Sequence, residues 1–254
     1  MLILLPPSEG KAPTRRRGRP VDLDALGLPE LTPTRRLVLD ALVTASGRPD
    51  ALTLLGLGEG LRGEVERNRL LPQAPAMPAL EVYTGVLYDA LGYGTLSLAA
   101  RRRATRVLRV QSALWGPVGP ADRITPYRLS TGATLPGTGP LARRWRSVLP
   151  GPMAALAGSG LVIDCRSAPY AAAWLPSGEA ARSLLAVRVF TEVHGYRTVV
   201  SHLAKQIRGE VVRTLLEHPG RLATARDAAE VVSAVHRCEV VDHGRRGFSL
   251  DVLR

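Results

Sequence analysis

The chain has 254 residues, 45% of them hydrophobic and 22% charged, values typical of a globular protein and far from those of a disordered one. No stretch approaches the roughly 20 consecutive apolar residues of a membrane helix, so nothing in the sequence is expected to span a bilayer. The formal net charge of +12, from 34 basic against 22 acidic residues, points to a polyanionic partner, of which nucleic acid is the commonest.

The opening Met1-Leu2-Ile3-Leu4-Leu5 is apolar but has no basic flank, and it breaks at Pro6-Pro7. It reads as a short buried strand rather than a secretory leader. Cys165 and Cys238 are the only thiols and have neither metal-type nor disulfide-framework spacing, which fits a reducing compartment, so a cytoplasmic location is expected.

Along the chain, residues 2–5 predict a strand and Pro6–Lys11 a tight loop, followed by an exposed, mobile loop carrying Arg15, Arg16, Arg17 and Arg19. The spacing of Leu37, Val38, Ala41, Leu42 and Ala45 predicts an amphipathic helix over 34–46, closed by Gly47 and Pro49. Helices over 49–55 and about 60–70 follow, with Gly56-Leu57-Gly58 between them. A proline-marked crossing segment (Pro72, Pro75, Pro78) leads to helical character over 78–91, then to Arg101, Arg102 and Arg103 and a core strand at 107–110.

The Gly- and Pro-rich stretch 112–140 is expected to be irregular and functional. Residues 161–165 predict another core strand. Residues 184–193 and 196–200 predict a hairpin turning at His194-Gly195, and Ser201 is the expected cap of a helix to about His218. The tail 240–253 reads as strand. There is no internal repeat and no linker, so 1–254 is expected to form a single compact domain.

Two nucleotide motifs fail on inspection. Gly58-Glu59-Gly60-Leu61-Arg62-Gly63 fits G-x-G-x-x-G, but it follows a helical segment instead of a strand, and Glu59 would face the phosphates. Gly10-Lys11 lacks both the earlier glycine and the Ser or Thr of a phosphate loop. The segment 51–69 is better read as helix, hairpin, helix, with Gly56 and Gly58 admitting a phosphate near Arg62; Arg67 and Arg69 favour this, and Glu59, Glu64 and Glu66 oppose it. A plain hairpin with glycine caps accounts for it equally well.

Only Lys11 and Lys205 are lysines; the other 32 cations are arginines. Lysine is a compact point charge whose pKa falls on burial, so these two positions are ones where a guanidinium fork does not fit or a proton must move. Lys11 lies in Ser8-Glu9-Gly10-Lys11, and Lys205 in Lys205-Gln206-Ile207-Arg208-Gly209, whose spacing puts Lys205 and Arg208 on one helical face. Gly209 inside a helix implies close approach by another backbone or a ligand. A further polar constellation runs from Ser112-Ala113-Leu114-Trp115-Gly116 to Asp122-Arg123-Ile124-Thr125-Pro126-Tyr127-Arg128-Leu129.

These segments, with Leu5–Lys11, Tyr83-Thr84-Gly85-Val86-Leu87-Tyr88 and Ala204–Gly209, occur in the order seen in the YaaA-like peroxide-stress proteins, also called the DUF328 or UPF0246 family, which the chain resembles over nearly its whole length. The resemblance implies a mixed α/β fold (α+β class) in which a mixed β-sheet is surrounded by helices, with a helix-hairpin-helix element and a basic cleft. It also implies binding of duplex or branched DNA with little sequence preference in the response to hydrogen peroxide. Carried across, Lys11, Arg128, Lys205 and Arg208 are the expected phosphate contacts, and Ser8, Tyr83, Ser112 and Tyr127 the expected hydrogen-bonding or stacking groups.

No cofactor, metal or obligate protein partner is expected. An alternative is a nucleic-acid or nucleotide-processing enzyme acting on damaged or flipped bases, with Glu9, Lys11, Asp122 and Lys205 as its chemistry and Asp164 nearby. The reading of these acids as mere orienters of Arg128 and the lysines is preferred. Iron handling finds no support in the spacing of His194, His202, His218, His236 and His243 or in two cysteines.

Overall fold

The computed structural model describes residues 1–193, 196–199 and 201–254. At its centre is a mixed sheet of β1 (Leu2–Leu5), β2 (Leu108–Ser112), β3 (Gly116–Val118), β4 (Val162–Asp164), β5 (Leu184–Val193), β6 (Tyr196–Val199), β7 (Cys238–Asp242) and β8 (Phe248–Leu253). Their order is β7-β8-β5-β4-β1-β2-β3, with β6 also paired to β5. Neighbours from β8 to β2 run parallel, while β3, β6 and β7 are antiparallel additions. This is the expected mixed α/β fold.

The unbroken apolar run of β1 has a structural cause. Strands covered on both faces lose the alternation of half-buried ones, and Leu2 to Leu5 are all at most 2% exposed. β1 lies between β2 and β4, with Leu4 opposite Arg109 on one side and Asp164 on the other. From β1 the chain crosses to β2, and from β4 it crosses to β5 on the opposite side. Connections therefore leave the adjacent strands β1 and β4 in opposite directions, the switch point beyond whose carboxyl ends open α/β sheets place their ligand crevice.

Around the sheet lie α1 (Thr32–Ser46), α2 (Ala51–Leu55), α3 (Arg62–Arg69), α4 (Val86–Leu91), α5 (Leu98–Val107), α6 (Leu141–Val148), α7 (Pro150–Ala157), α8 (Ser201–Glu217) and α9 (Ala225–Ser233), besides shorter turns. One continuous cluster of buried apolar side chains extends from Leu2 to Val252. In α9, Thr224 and Asp227 form a reciprocal capping box.

The close approach expected at Gly209 is present. A Cβ there would collide with Leu87 O and lie 2.8 Å from Ala90 Cβ, so the backbones of α8 and α4 meet at this point. Gly209→Ala is expected to destabilise the protein by about 1–3 kcal/mol through overpacking, more than the helix-propensity gain of up to about 1 kcal/mol. A urea midpoint equal to or above that of the parent protein would contradict this.

Several elements differ from the sequence expectation. The helical stretch 78–91 is two helices, Ala79–Val82 and α4, because Gly85 at φ 97° breaks the path. The Arg101–Arg103 run lies inside α5. The tail is two antiparallel strands, β7 and β8, joined by a turn with Gly244 at φ 62° and Gly247 at φ 83°. β5 and β6 pair as expected of a hairpin; the His194-Gly195 turn and the side chain of Ser201 lie outside what is described. Among the described residues, no helix is long and apolar enough to cross a membrane.

Candidate functional site

Three loops converge at the carboxyl ends of the central strands: Pro6–Lys11 after β1, the turn after Ser112 at the end of β2, and Cys165–Tyr170 after β4. Lys11 is fixed by its backbone, which forms a bridge to Tyr83 while the next amide, Ala12 N–H, donates to Val82 O (2.8 Å). Its ammonium donates to Ser8 O (2.8 Å) and Glu9 O (3.3 Å) and lies 4.5 Å from the centre of the Tyr127 ring. Burial, then the neighbouring Arg128 charge, bring the Lys11 pKa from 10.5 down to about 8. Ser8 closes the loop by donating to Gly10 O and accepting from Thr84 N–H.

Behind Lys11, Tyr83 and Tyr127 face each other hydroxyl to hydroxyl (3.4 Å), and Tyr127 reaches Ser112 Oγ (2.7 Å). Ser112 Oγ also accepts from Leu114 N–H (3.1 Å) and Trp115 N–H (2.8 Å). Both of its lone pairs are thus engaged, so its own proton points to Tyr127, and Tyr127 donates onward. Tyr83 stacks on Tyr88, whose hydroxyl donates to Pro6 O (2.7 Å). Burial raises the pKa values of Tyr83, Tyr88, Tyr127 and Tyr170, so all four remain phenols at neutral pH. Four of the six tyrosines in the chain thus serve this one region.

Arg128 is positioned from below. The fully buried Asn68 of α3 accepts from Arg128 N–H (2.9 Å) and donates to Arg128 O (2.8 Å), clamping its backbone. The guanidinium donates to Glu9 O and to Glu9 Oε2, both at 3.3 Å, and the Glu9 side chain is 85% exposed. Such a pair is loose and contributes little to stability.

The other predicted residues divide. Arg208 of α8 points its Nε at Val187 O (3.4 Å) and lies close enough to Cys165, just past β4, for its charge to oppose the effect of burial, which pushes that thiol up to about 12. Lys205, one turn earlier, is exposed and makes no ion pair among the described residues. Asp122 has both carboxylate oxygens occupied by Gly27 N–H (3.0 Å) and Gly119 N–H (2.7 Å) and so fastens two loops together. Asp164 holds Arg166 by two bonds, and Arg166 in turn donates to Trp174 O (2.8 Å), fixing the segment that carries Tyr170.

At the 51–69 element, Gly56 closes α2 at φ 64° and Gly58 leads into a tight turn over Glu59–Leu61. Arg62, Arg67 and Arg69 each pair with the glutamate three residues earlier. Their charge is therefore partly spent within the helix. The Arg15–Arg19 loop is tied at Arg15–Glu81 (2.5 Å) and by Ala76 N–H to Arg19 O (2.8 Å), with Arg16 and Arg17 exposed. No three His, Cys, Asp or Glu side chains gather in a metal-binding arrangement among the described residues.

Tyr88, Tyr170 and Asn68 are site residues that the sequence reading did not single out. Tyr170 was findable, because it follows a predicted core strand just as Lys11 and Ser112 do.

A family profile described as peroxide stress protein YaaA matches residues 1–231. The chain belongs to the YaaA family. Among similar proteins, a UPF0246 protein of Streptomyces coelicolor is 49% identical over 263 residues, covering 100% of this chain and 98% of its own. Another from Corynebacterium efficiens is 39% identical over 251 residues, covering 97% of both. A UPF0246 protein of Limosilactobacillus fermentum is 33% identical over 150 residues, covering 58% of this chain and 60% of its own. The match to the YaaA family spans Ser8, Lys11, Tyr83, Ser112, Tyr127, Arg128, Lys205 and Arg208.

Proposed function

We propose that this YaaA-family chain serves the peroxide stress response by binding the phosphate backbone of DNA, duplex or branched, at the crevice beyond β1, β2 and β4. The observation that carries this reading is the pairing of Lys11 with Arg128. Two cations are held near enough for one to depress the other, with Glu64, itself paired to Arg67, and the loosely bound, exposed Glu9 as the nearby acids. An entering phosphate relieves that repulsion and displaces Glu9 toward water. Lys205 and Arg208 extend the positive charge along α8, and the net charge of +12 draws the polyanion in. Cations of this kind would contact phosphate and not base edges, so little sequence preference would follow. The two unpaired thiols, Cys165 and Cys238, suit a cytoplasmic setting.

Fluorescence anisotropy with duplex and four-way-junction DNA over a salt series tests the proposal. Affinity should fall steeply as salt rises, and Arg128→Gln should flatten the log–log slope by about one. A salt-independent affinity, or a slope unchanged in Arg128→Gln, would remove the basis of the reading.

The pKa of about 8 at Lys11 favours a second reading, in which its free amine attacks a sugar aldehyde of damaged DNA, forming an imine and releasing water. Borohydride trapping of an adduct on abasic DNA, lost in Lys11→Arg, would decide for the enzyme; absence of an adduct decides for the binder.

A further inference from the structure

A second basic region lies at the other end of the sheet. Because β5 and β8 run parallel, with Phe248 opposite Leu185, their first residues lie together at the end away from the crevice. There, Leu184, Ala186, Arg188, His243, Arg246, Phe248 and Ser249 line an open groove of about 360 Å³, a volume near the lower end of small-molecule sites. Four of these seven residues follow residue 231, where the family match ends.

The groove is built by the turn between β7 and β8. Gly247, at φ 83°, packs so closely on Ala181 O and Leu184 O that no side chain fits, which seats the Gly244–Arg246 turn over the start of β5. Arg246 lines this groove, while Arg245 lines a neighbouring one with Arg182. Neither Arg245 nor Arg246 makes an ion pair among the described residues.

The polar wall is ordered. Arg188 grips Asp251 through two bonds, at 2.8 and 2.5 Å. Burial would raise the pKa of Asp251, but hydrogen bonds from Arg188 and Ser249 outweigh it and keep the carboxylate ionised. His243 Nε2 lies 2.9 Å from Ser249 Oγ, a hydrogen bond that orients the imidazole. The opposite wall is apolar, made by Leu184, Ala186 and Phe248.

We infer that this groove binds a small phosphomonoester with an apolar body, at a site separate from the DNA crevice. The unpaired Arg246 guanidinium supplies charge and a fork of donors. The spare N–H groups of Arg188 and the ring of His243 add polar contacts beside it. That set exceeds what the two oxygens of a carboxylate can use and suits the three of a phosphomonoester. The apolar wall takes the organic part.

Calorimetric titration of the full chain with adenosine 5′-monophosphate, inorganic phosphate and adenosine tests this. The monophosphate should bind, inorganic phosphate more weakly, and adenosine not measurably. Arg246→Gln should weaken the monophosphate roughly tenfold, the loss of one charged hydrogen bond, while Arg128→Gln leaves it unchanged. The inference is overturned if adenosine binds as well as its monophosphate, if nothing binds at millimolar concentration, or if Arg128→Gln and not Arg246→Gln abolishes binding. The last result would place the ligand in the crevice and leave the DNA reading standing. Loss of DNA binding in Arg128→Gln with monophosphate binding intact would separate the two sites.

Discussion

Replacing Arg35 by methionine should lower stability by about 3–5 kcal/mol, the range seen when one partner of a buried charged network is removed. Arg35 lies in α1 with no exposed surface. Its guanidinium donates to Trp115 O (2.9 Å), Leu28 O (3.1 Å), Gly27 O (2.6 Å) and Pro117 O (3.5 Å). Burial lowers its pKa to about 10, which leaves it charged at neutral pH. Methionine fills much of the volume but orphans these carbonyls, so hydrophobic gain does not compensate. At this chain length each kcal/mol shifts the melting temperature by about 2–4 °C, so a fall of roughly 6–20 °C is expected. Arg35→Lys should recover only part of it, because an ammonium cannot span the same carbonyls. A shift under about 2 °C for methionine would mean that water satisfies those groups. The effect reaches the site as well, since Trp115 and Pro117 flank the turn that presents Ser112 to Tyr127.

The fold was most legible where burial is complete. The Leu2–Leu5 and Leu161–Cys165 runs could be read as core strands because strands covered on both faces are apolar throughout. The helices α5 and α6 were missed although both are amphipathic: the first buries only Ala100 and Ala104 and the second only Leu141 and Trp145, and arginine runs dominate both segments. The tail read as one strand because its residues favour extended structure; Gly244 and Gly247, which reverse the chain, were the signal of a turn.

At the site, Lys11 stood out because lysine is so rare here, and Gly209 because a helix interior disfavours glycine. Asn68 gave no such sign. Its role depends on a backbone 60 residues away, and nothing local distinguishes it from a solvent-facing polar residue of α3. Asp122 shows the converse, since a carboxylate between glycines near a strand end looks the same in sequence whether it handles protons or, as here, ties down two amides.

The amine of Lys11 offers the most direct probe of the crevice. In the free protein it should lose its proton around pH 8, since burial and then Arg128 both disfavour the charged form. The folded value is depressed below the ordinary 10.5, so the folded state binds fewer protons than the unfolded chain between about pH 8 and 10.5. Stability from this group therefore rises with pH across that window. A phosphate bound beside the ammonium favours the charged form and must raise the midpoint. With only two lysines in the chain, amine-selective labelling read by peptide mass spectrometry resolves Lys11 from Lys205 and from the N-terminus. The decisive measurement is the pH midpoint of Lys11 labelling with and without saturating duplex DNA. The proposed site requires a midpoint near 8 in the free protein that moves up by about one unit or more on DNA; a midpoint unmoved by bound DNA would mean that no phosphate enters the crevice.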